Sequence, residues 1–241
     1  NAEGCVFSPA QANVLVQSCG SLDTLKLMSW TIPVGELRTS DTVSMAGAGL
    51  TDADGAVVGA LLKTNTVLTK LDLTSAVCSA EVLRFISEGL QQSKAPLQEV
   101  LLSGLKHATT KEADEPSVAS RLEALVSAAC RPSVRVVDCS GQAGTVDKEC
   151  ALFSGPDAGA LPSLCKLLSS PNSLTTLRVG GNGTWPKGAG RLLCEAFRPP
   201  HCVVEELDLS GSASLSADAA ELLQCRALRT LTLNEWPIPV T

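Results

Sequence analysis

Residues 68–90 read LTKLDLTSAVCSAEVLRFISEGL, and the hydrophobic period changes half-way along them. At the start Leu68, Leu71 and Leu73 are apolar, and the last positions alternate strictly, as in a short strand with one buried face. Further on, Val82, Leu83, Ile86 and Leu90 fall on one face of a helix. A short strand followed by an amphipathic helix is a unit that cannot bury its apolar side alone. It calls for neighbours of the same kind.

Those neighbours are present. The same apolar pattern occurs as LDTLKL at residues 22–27, LQEVLL at 97–102 and VRVVDC at 134–139. It continues as LTTLRV at 174–179, VEELDL at 204–209 and LRTLTL at 228–233. A weaker copy, SDTVSM at 40–45, keeps only Val43 and Met45 apolar. With 68–73 that makes eight strands. Helical stripes lie between them: Val57, Val58, Leu61 and Leu62; Leu122, Leu125 and Val126; Leu161, Leu164, Cys165 and Leu168. Leu192, Leu193, Ala196 and Phe197 form another, and Ala219, Leu222 and Leu223 a last one. Ser8-Pro9 reads as an N-cap followed by proline at the first helical position, opening a helix ahead of the first strand.

Successive copies are 18, 28, 29, 37, 40, 30 and 24 residues apart. The intervals of 28 and 29, with the strand pattern and the amphipathic helix, resemble the ribonuclease-inhibitor type of leucine-rich repeat. Leu50-Thr51-Asp52-Ala53-Asp54-Gly55-Ala56 is similar to that family's turn into the helix, with one residue inserted. The resemblance spans about residues 8 to 236. It implies a single domain over 1–241: an α/β leucine-rich-repeat solenoid of about eight repeats, with a curved parallel sheet inside and helices outside. The departure lies at the ladder position after each strand, which in the family holds Asn or Cys. Here it holds Trp30, Ala48, Ala76, Leu105, Gln142, Asn182, Ser212 and Trp236, and only Asn182 conforms. That ladder satisfies buried backbone groups, so irregular turns are expected.

Composition narrows the function. The chain of 241 residues is 44% apolar and 18% charged, with no Tyr, four Phe and three Trp, so aliphatic side chains fill its core. A net charge of −6 argues against nucleic acid or an anionic membrane as main partner, since phosphate binding needs clustered Lys and Arg. No apolar run approaches the roughly 20 residues of a membrane helix, and no targeting segment is legible. Ten cysteines without a Cys-x-x-Cys pair, several at apolar positions of the repeat, read as small hydrophobes in a reducing compartment. The expected location is intracellular, cytoplasmic or cytoskeleton-associated, with an organelle left open.

Candidate chemistry is sparse. Asp52-Ala53-Asp54-Gly55 looks like the centre of a calcium loop. Placing Gly55 at position 6, however, puts Leu50 at position 1 and Leu61 at position 12, where carboxylates are required. A helix start explains every residue: Leu50 plugs the core, Thr51 and Asp52 cap, and Asp54 suits the dipole. GGNGTWPKGAGR at 180–191 has the glycines and cations of a phosphate cradle but neither established spacing. Cys194, His201 and Cys202 lack a fourth ligand at zinc spacing. No cofactor, metal or small-molecule substrate is expected.

What remains is surface. Residues alternating with the buried strand positions face outward. The central outward positions include Asp72, Leu101, Asp138, Arg178 and Asp208, beside Lys26, Ser44 and Thr232. Lys70, Glu99, Arg135, Glu205, Glu206 and Arg229 flank them. Two long intervals place insertions at 103–116 and 140–157 on one rim, and Trp185 follows a strand as a candidate interface anchor. Trp30 and Trp236 sit where they could close the ends of the array. The resemblance implies protein binding, so the expectation is a non-enzymatic interaction or scaffold module in a multi-subunit complex. The contact residues would be Lys70, Asp72, Glu99, Leu101, Arg135, Asp138, Arg178, Trp185, Glu205, Glu206 and Asp208. The rival reading is a regulator of a partner enzyme, an inhibitor or a GTPase-activating module. A third is an enzyme with a cysteine nucleophile, which one unusually reactive thiol would reveal.

Overall fold

The computed structural model describes residues 9–18, 20–27, 30–107, 118–129, 131–141, 161–182, 185, 187–198, 202–212, 215 and 227–234. Three residues in each of seven copies form strands: β3 Thr42–Ser44, β4 Lys70–Asp72, β6 Glu99–Leu101 and β8 Val136–Asp138, then β9 Thr176–Arg178, β10 Glu206–Asp208 and β11 Thr230–Thr232. They make one parallel sheet in chain order. The register aligns Val43, Leu71, Val100, Val137, Leu177, Leu207 and Leu231 across it. The first six of these central residues are buried. The period-2 pattern thus becomes a continuous apolar column on one face, each side chain worth about 1.5–3 kcal/mol when fully buried.

The helices cover that face. α3 Asp52–Thr64, α4 Ala80–Gln92, α5 Val118–Ala129, α6 Leu161–Leu168 and α7 Ala189–Phe197 each follow a strand and pack side by side in chain order. Parallel neighbours need such crossovers. Ahead of them, α1 Pro9–Ser18 and α2 Val34–Thr39 both pack on α3. Arg38 of α2 donates from Nη1 and Nη2 to the carbonyls of Gly20 and Val16, closing the end of α1. The last helical stripe, at Ala219, Leu222 and Leu223, lies outside the described residues, as does Ser8.

The first copy behaves differently from the sequence expectation. In residues 22–27 only Leu25–Lys26 (β1) form a ladder. They pair antiparallel with Thr31–Ile32 (β2), apart from the parallel sheet. The 18-residue interval to the next copy is too short for the longer helix of a full unit, and the chain turns back on itself. The parallel array begins at β3, the weakest copy.

The turns are also more regular than expected. Three residues after the last strand residue, Gly47, Ser75, Gly104, Gly141, Gly181 and Gly211 all adopt positive φ between 56° and 69°. Each donates its N–H to the carbonyl of Thr74, Ser103, Ser140, Gly180, Ser210 or Asn234 in the following unit, at 2.6–2.8 Å. The ladder thus runs on through the turns by backbone alone, and a side-chain Asn is dispensable. Ala48, Ala76 and Ser212 close their turns by donating N–H to Met45, Leu73 and Leu209. Asn182, fully buried, adds side-chain bonds to Val179 O and to Cys139 O of the preceding unit. Beyond the turns, β5 Val77–Cys78 and β7 Lys106–His107 form a second, two-stranded parallel ladder.

Candidate partner-binding surface

The short strands leave two outward rows. The last residues of successive strands, Ser44, Asp72, Leu101, Asp138, Arg178, Asp208 and Thr232, stand opposite one another in register. The first residues form the parallel row, with Lys70 opposite Glu99, Glu99 opposite Val136, and Glu206 opposite Thr176. Most of these side chains are half-buried, because each is flanked by neighbours one strand away.

Charges on this face pair laterally. Lys70 Nζ lies 2.9 Å from Glu99 Oε2. Arg178 donates from Nε and Nη2 to Glu206 Oε1 at 3.0 and 2.9 Å, and its Nη1 is 3.8 Å from Asp138 Oδ2. The hydrogen bond to Glu206 raises the Arg178 pKa above the ordinary arginine value; partial burial opposes it, and the Glu206, Asp138 and Asp208 charges add to it. These pairs are about 40% exposed on at least one partner, where a single ion pair contributes only about 0–1 kcal/mol. Glu205 lies 3.6 Å from Arg229 on more exposed ground.

The aspartates of this row also have a local duty. Asp72 Oδ1 accepts the Thr74 N–H, Asp138 Oδ1 the Ser140 N–H and hydroxyl, and Asp208 Oδ1 the Ser210 N–H. Each acid starts the turn that follows its strand by an Asx-type bond. The D-x-[ST] spacing at 72–74, 138–140 and 208–210 is the sequence signal for it. Arg135 is exposed just ahead of β8, while its carbonyl accepts from Thr175 and Thr176. Leu101 and Val136 are half-buried apolar residues in the middle of the face, and Val136 was not among the expected contacts.

Trp185 is not on the surface. It is 3% exposed within the core, and its indole N–H donates to Ser212 Oγ at 2.9 Å. A large ring next to the apolar column gains more from burial than from exposure, and Ser212 satisfies its one polar atom. Trp30 is half-buried against the core. Trp236, Gln142, His201 and most of the insertions at 103–116 and 140–157 lie outside the described residues.

The acids of the calcium-like stretch serve helix starts. Thr51 is the N-cap of α3; Asp54 accepts the Thr51 N–H and hydroxyl at 2.9 and 2.7 Å, and Thr51 Oγ1 accepts the Asp54 N–H. Asp52 accepts from the hydroxyl of Ser79, the N-cap of α4, tying two helix starts together. In 180–191, Asn182 is spent on the turn ladder, while Arg191 pairs with Glu195 one helical turn on. Among the described residues no three His, Cys, Asp or Glu side chains group to hold a metal, and no helix is long and apolar enough to cross a membrane. Burial pushes the Cys78 thiol up to about 12; burial, then the Glu195 charge, pushes Cys165 up to about 11.

No model of a known protein family matches the chain, nor does any curated protein. The functional reading therefore rests on the sheet face and the groups just described.

Proposed function

We propose that this chain is a leucine-rich-repeat-type solenoid acting as a non-enzymatic protein-interaction or scaffold module, a subunit of a larger intracellular assembly. The observation that carries the reading is the open strand face: two registered rows of half-exposed side chains, cross-linked by Lys70–Glu99 and Asp138–Arg178–Glu206. Such a face offers a pre-ordered surface, which lowers the entropic cost of docking a protein partner. The elevated Cys78 and Cys165 pKa values speak against either as a nucleophile, since the thiolate is the reactive form. Arg178 is engaged by two carboxylates within the chain, which weakens the case for it as an arginine supplied to a partner's nucleotide.

The test is gentle cross-linking of the native protein followed by native electrophoresis, repeated with Lys70→Glu combined with Glu205→Lys. Both side chains are partly exposed, and neither supports a turn through its side chain, so the fold should survive; circular dichroism checks this. A large complex that the double variant abolishes supports docking through the strand face. A complex unaffected by it removes the face from the reading. A chain that migrates alone overturns the scaffold role.

A further inference from the structure

The strand face carries a spatial code beyond its mixed composition. Along the row of last strand residues the order is Asp72, Leu101, Asp138, Arg178, Asp208, so a carboxylate stands on every second strand. Strands are about 4.8 Å apart, which spaces these acids by about 10 Å. Both cations of the two rows, Lys70 and Arg178, are already bound to carboxylates of the same face. Against those two stand Asp72, Glu99, Asp138, Glu206 and Asp208, leaving the fourteen positions a net charge of −3, half of the chain's −6. Each aspartate commits Oδ1 to its turn N–H, while Asp72 Oδ2 also accepts the Ser44 hydroxyl at 3.4 Å and Asp138 Oδ2 lies 3.8 Å from Arg178 Nη1, both long contacts that a partner cation would have to displace. Between the first two acids sits Leu101, and diagonally across from it Val136 of the other row.

Resting on the interaction reading above, we propose that this face docks a basic amphipathic helix of a protein partner, lying across the strands. Residues seven apart on a helix rise about 10.5 Å, which matches the acid spacing. Lys or Arg at i and i+7 would meet Asp72 and Asp138, and an apolar side chain at i+3 or i+4 would rest on Leu101. The apolar contact involves both rows, Leu101 in one and Val136 in the other. A helix about 10 Å across covers both, whereas an extended strand covers one. The arrangement is an apolar centre within a charged rim, the usual anatomy of an interface hot spot.

The probe is a synthetic helix of roughly 20 residues, long enough to be helical in solution, with Lys at i and i+7 and Leu at i+3 and i+4. One control replaces its Lys by Glu and another its Leu by Ser; binding to the whole chain is read by fluorescence anisotropy. The expected result is binding of the Lys/Leu helix, weakened at least about tenfold by Leu→Ser in the probe and by Leu101→Ser in the protein. Weakening by added salt is expected as well. Equal binding of the Glu helix, indifference to both Leu substitutions, or no binding of any probe overturns the proposal. If Leu101→Ser fails to fold, the Ser probe alone decides the apolar term. Probe failure alongside a native complex still lost in the Lys70→Glu, Glu205→Lys variant would reject the helix and leave the interaction reading standing.

Discussion

At the scale of single residues, two positions carry more than their composition suggests. Asn65 is fully buried after α3; its amide donates to Leu37 O and Ser40 O, and its oxygen accepts from Val67 and Leu68 N–H at 2.8 Å. Asn65→Ala would orphan these groups in the interior and should lower the urea unfolding free energy by about 2–4 kcal/mol. Ser75 is the non-glycine in the column of positive-φ turns, with φ of 56°. Strain in a side-chain-bearing residue there outweighs the extra chain freedom of glycine. Ser75→Gly is therefore expected to raise stability by about 0.5–1 kcal/mol, measured in the same urea titration. Neither site was legible in the sequence. Asn65 reads as an ordinary turn residue, and nothing in Thr74-Ser75 announces left-handed backbone. The burial of Trp185 is hidden for a related reason: an aromatic after a strand states its size, and only the neighbouring Ser212 hydroxyl shows that its polar atom can be satisfied inside.

Among elements, α3 and α4 approach through glycine. A methyl on Gly55 would stand 2.9 Å from Val82 Cα, and one on Gly89 would stand 2.9 Å from Gly59 Cα and clash with the Gly59 carbonyl oxygen. Helix backbones cannot retreat without dragging β4 and β6 with them. Gly89→Ala should therefore cost about 1–3 kcal/mol despite alanine's better helix propensity, seen as a lower thermal midpoint. The strands themselves were readable because alternation fixes which side chains are buried whatever lies across the sheet. Pairing was another matter. LDTLKL carries a full copy of the pattern yet folds back as a hairpin, because partner choice depends on the length of the connection and not on the alternation. The ion pairs joining Lys70 to Glu99 and Arg178 to Asp138 follow from register between positions 29 and 40 residues apart in the chain. The outward rows could be named from spacing, but their couplings could not.

For the whole molecule, the buried Cys78 thiol and the half-buried Cys165 thiol set an alkaline limit. The Cys78 and Cys165 pKa values are raised from 9.0 to about 12 and about 11. Below pH 9 both states hold the protons and these thiols leave stability unchanged. Above it the unfolded chain ionises first, and stability should fall by up to about 1.4 kcal/mol per pH unit for the buried Cys78 until its folded pKa is reached, and by less for the partly exposed Cys165, where solvent screens the effect. Urea midpoints measured between pH 8 and 11 check this, and Cys78→Ala should flatten the slope even if it lowers stability throughout.

The column of left-handed turns also has a consequence for how such a chain tolerates change in length. Strand centres are separated by 28, 29, 37, 40, 30 and 24 residues, yet the step from strand end to left-handed residue is three in each of the six described turns. The array is thus rigid in its punctuation and free in its clauses. Residues can be gained or lost downstream of the turn, on the way into or out of a helix, without disturbing the neighbouring units. A single residue added between strand and turn would shift the ladder against both neighbours at once.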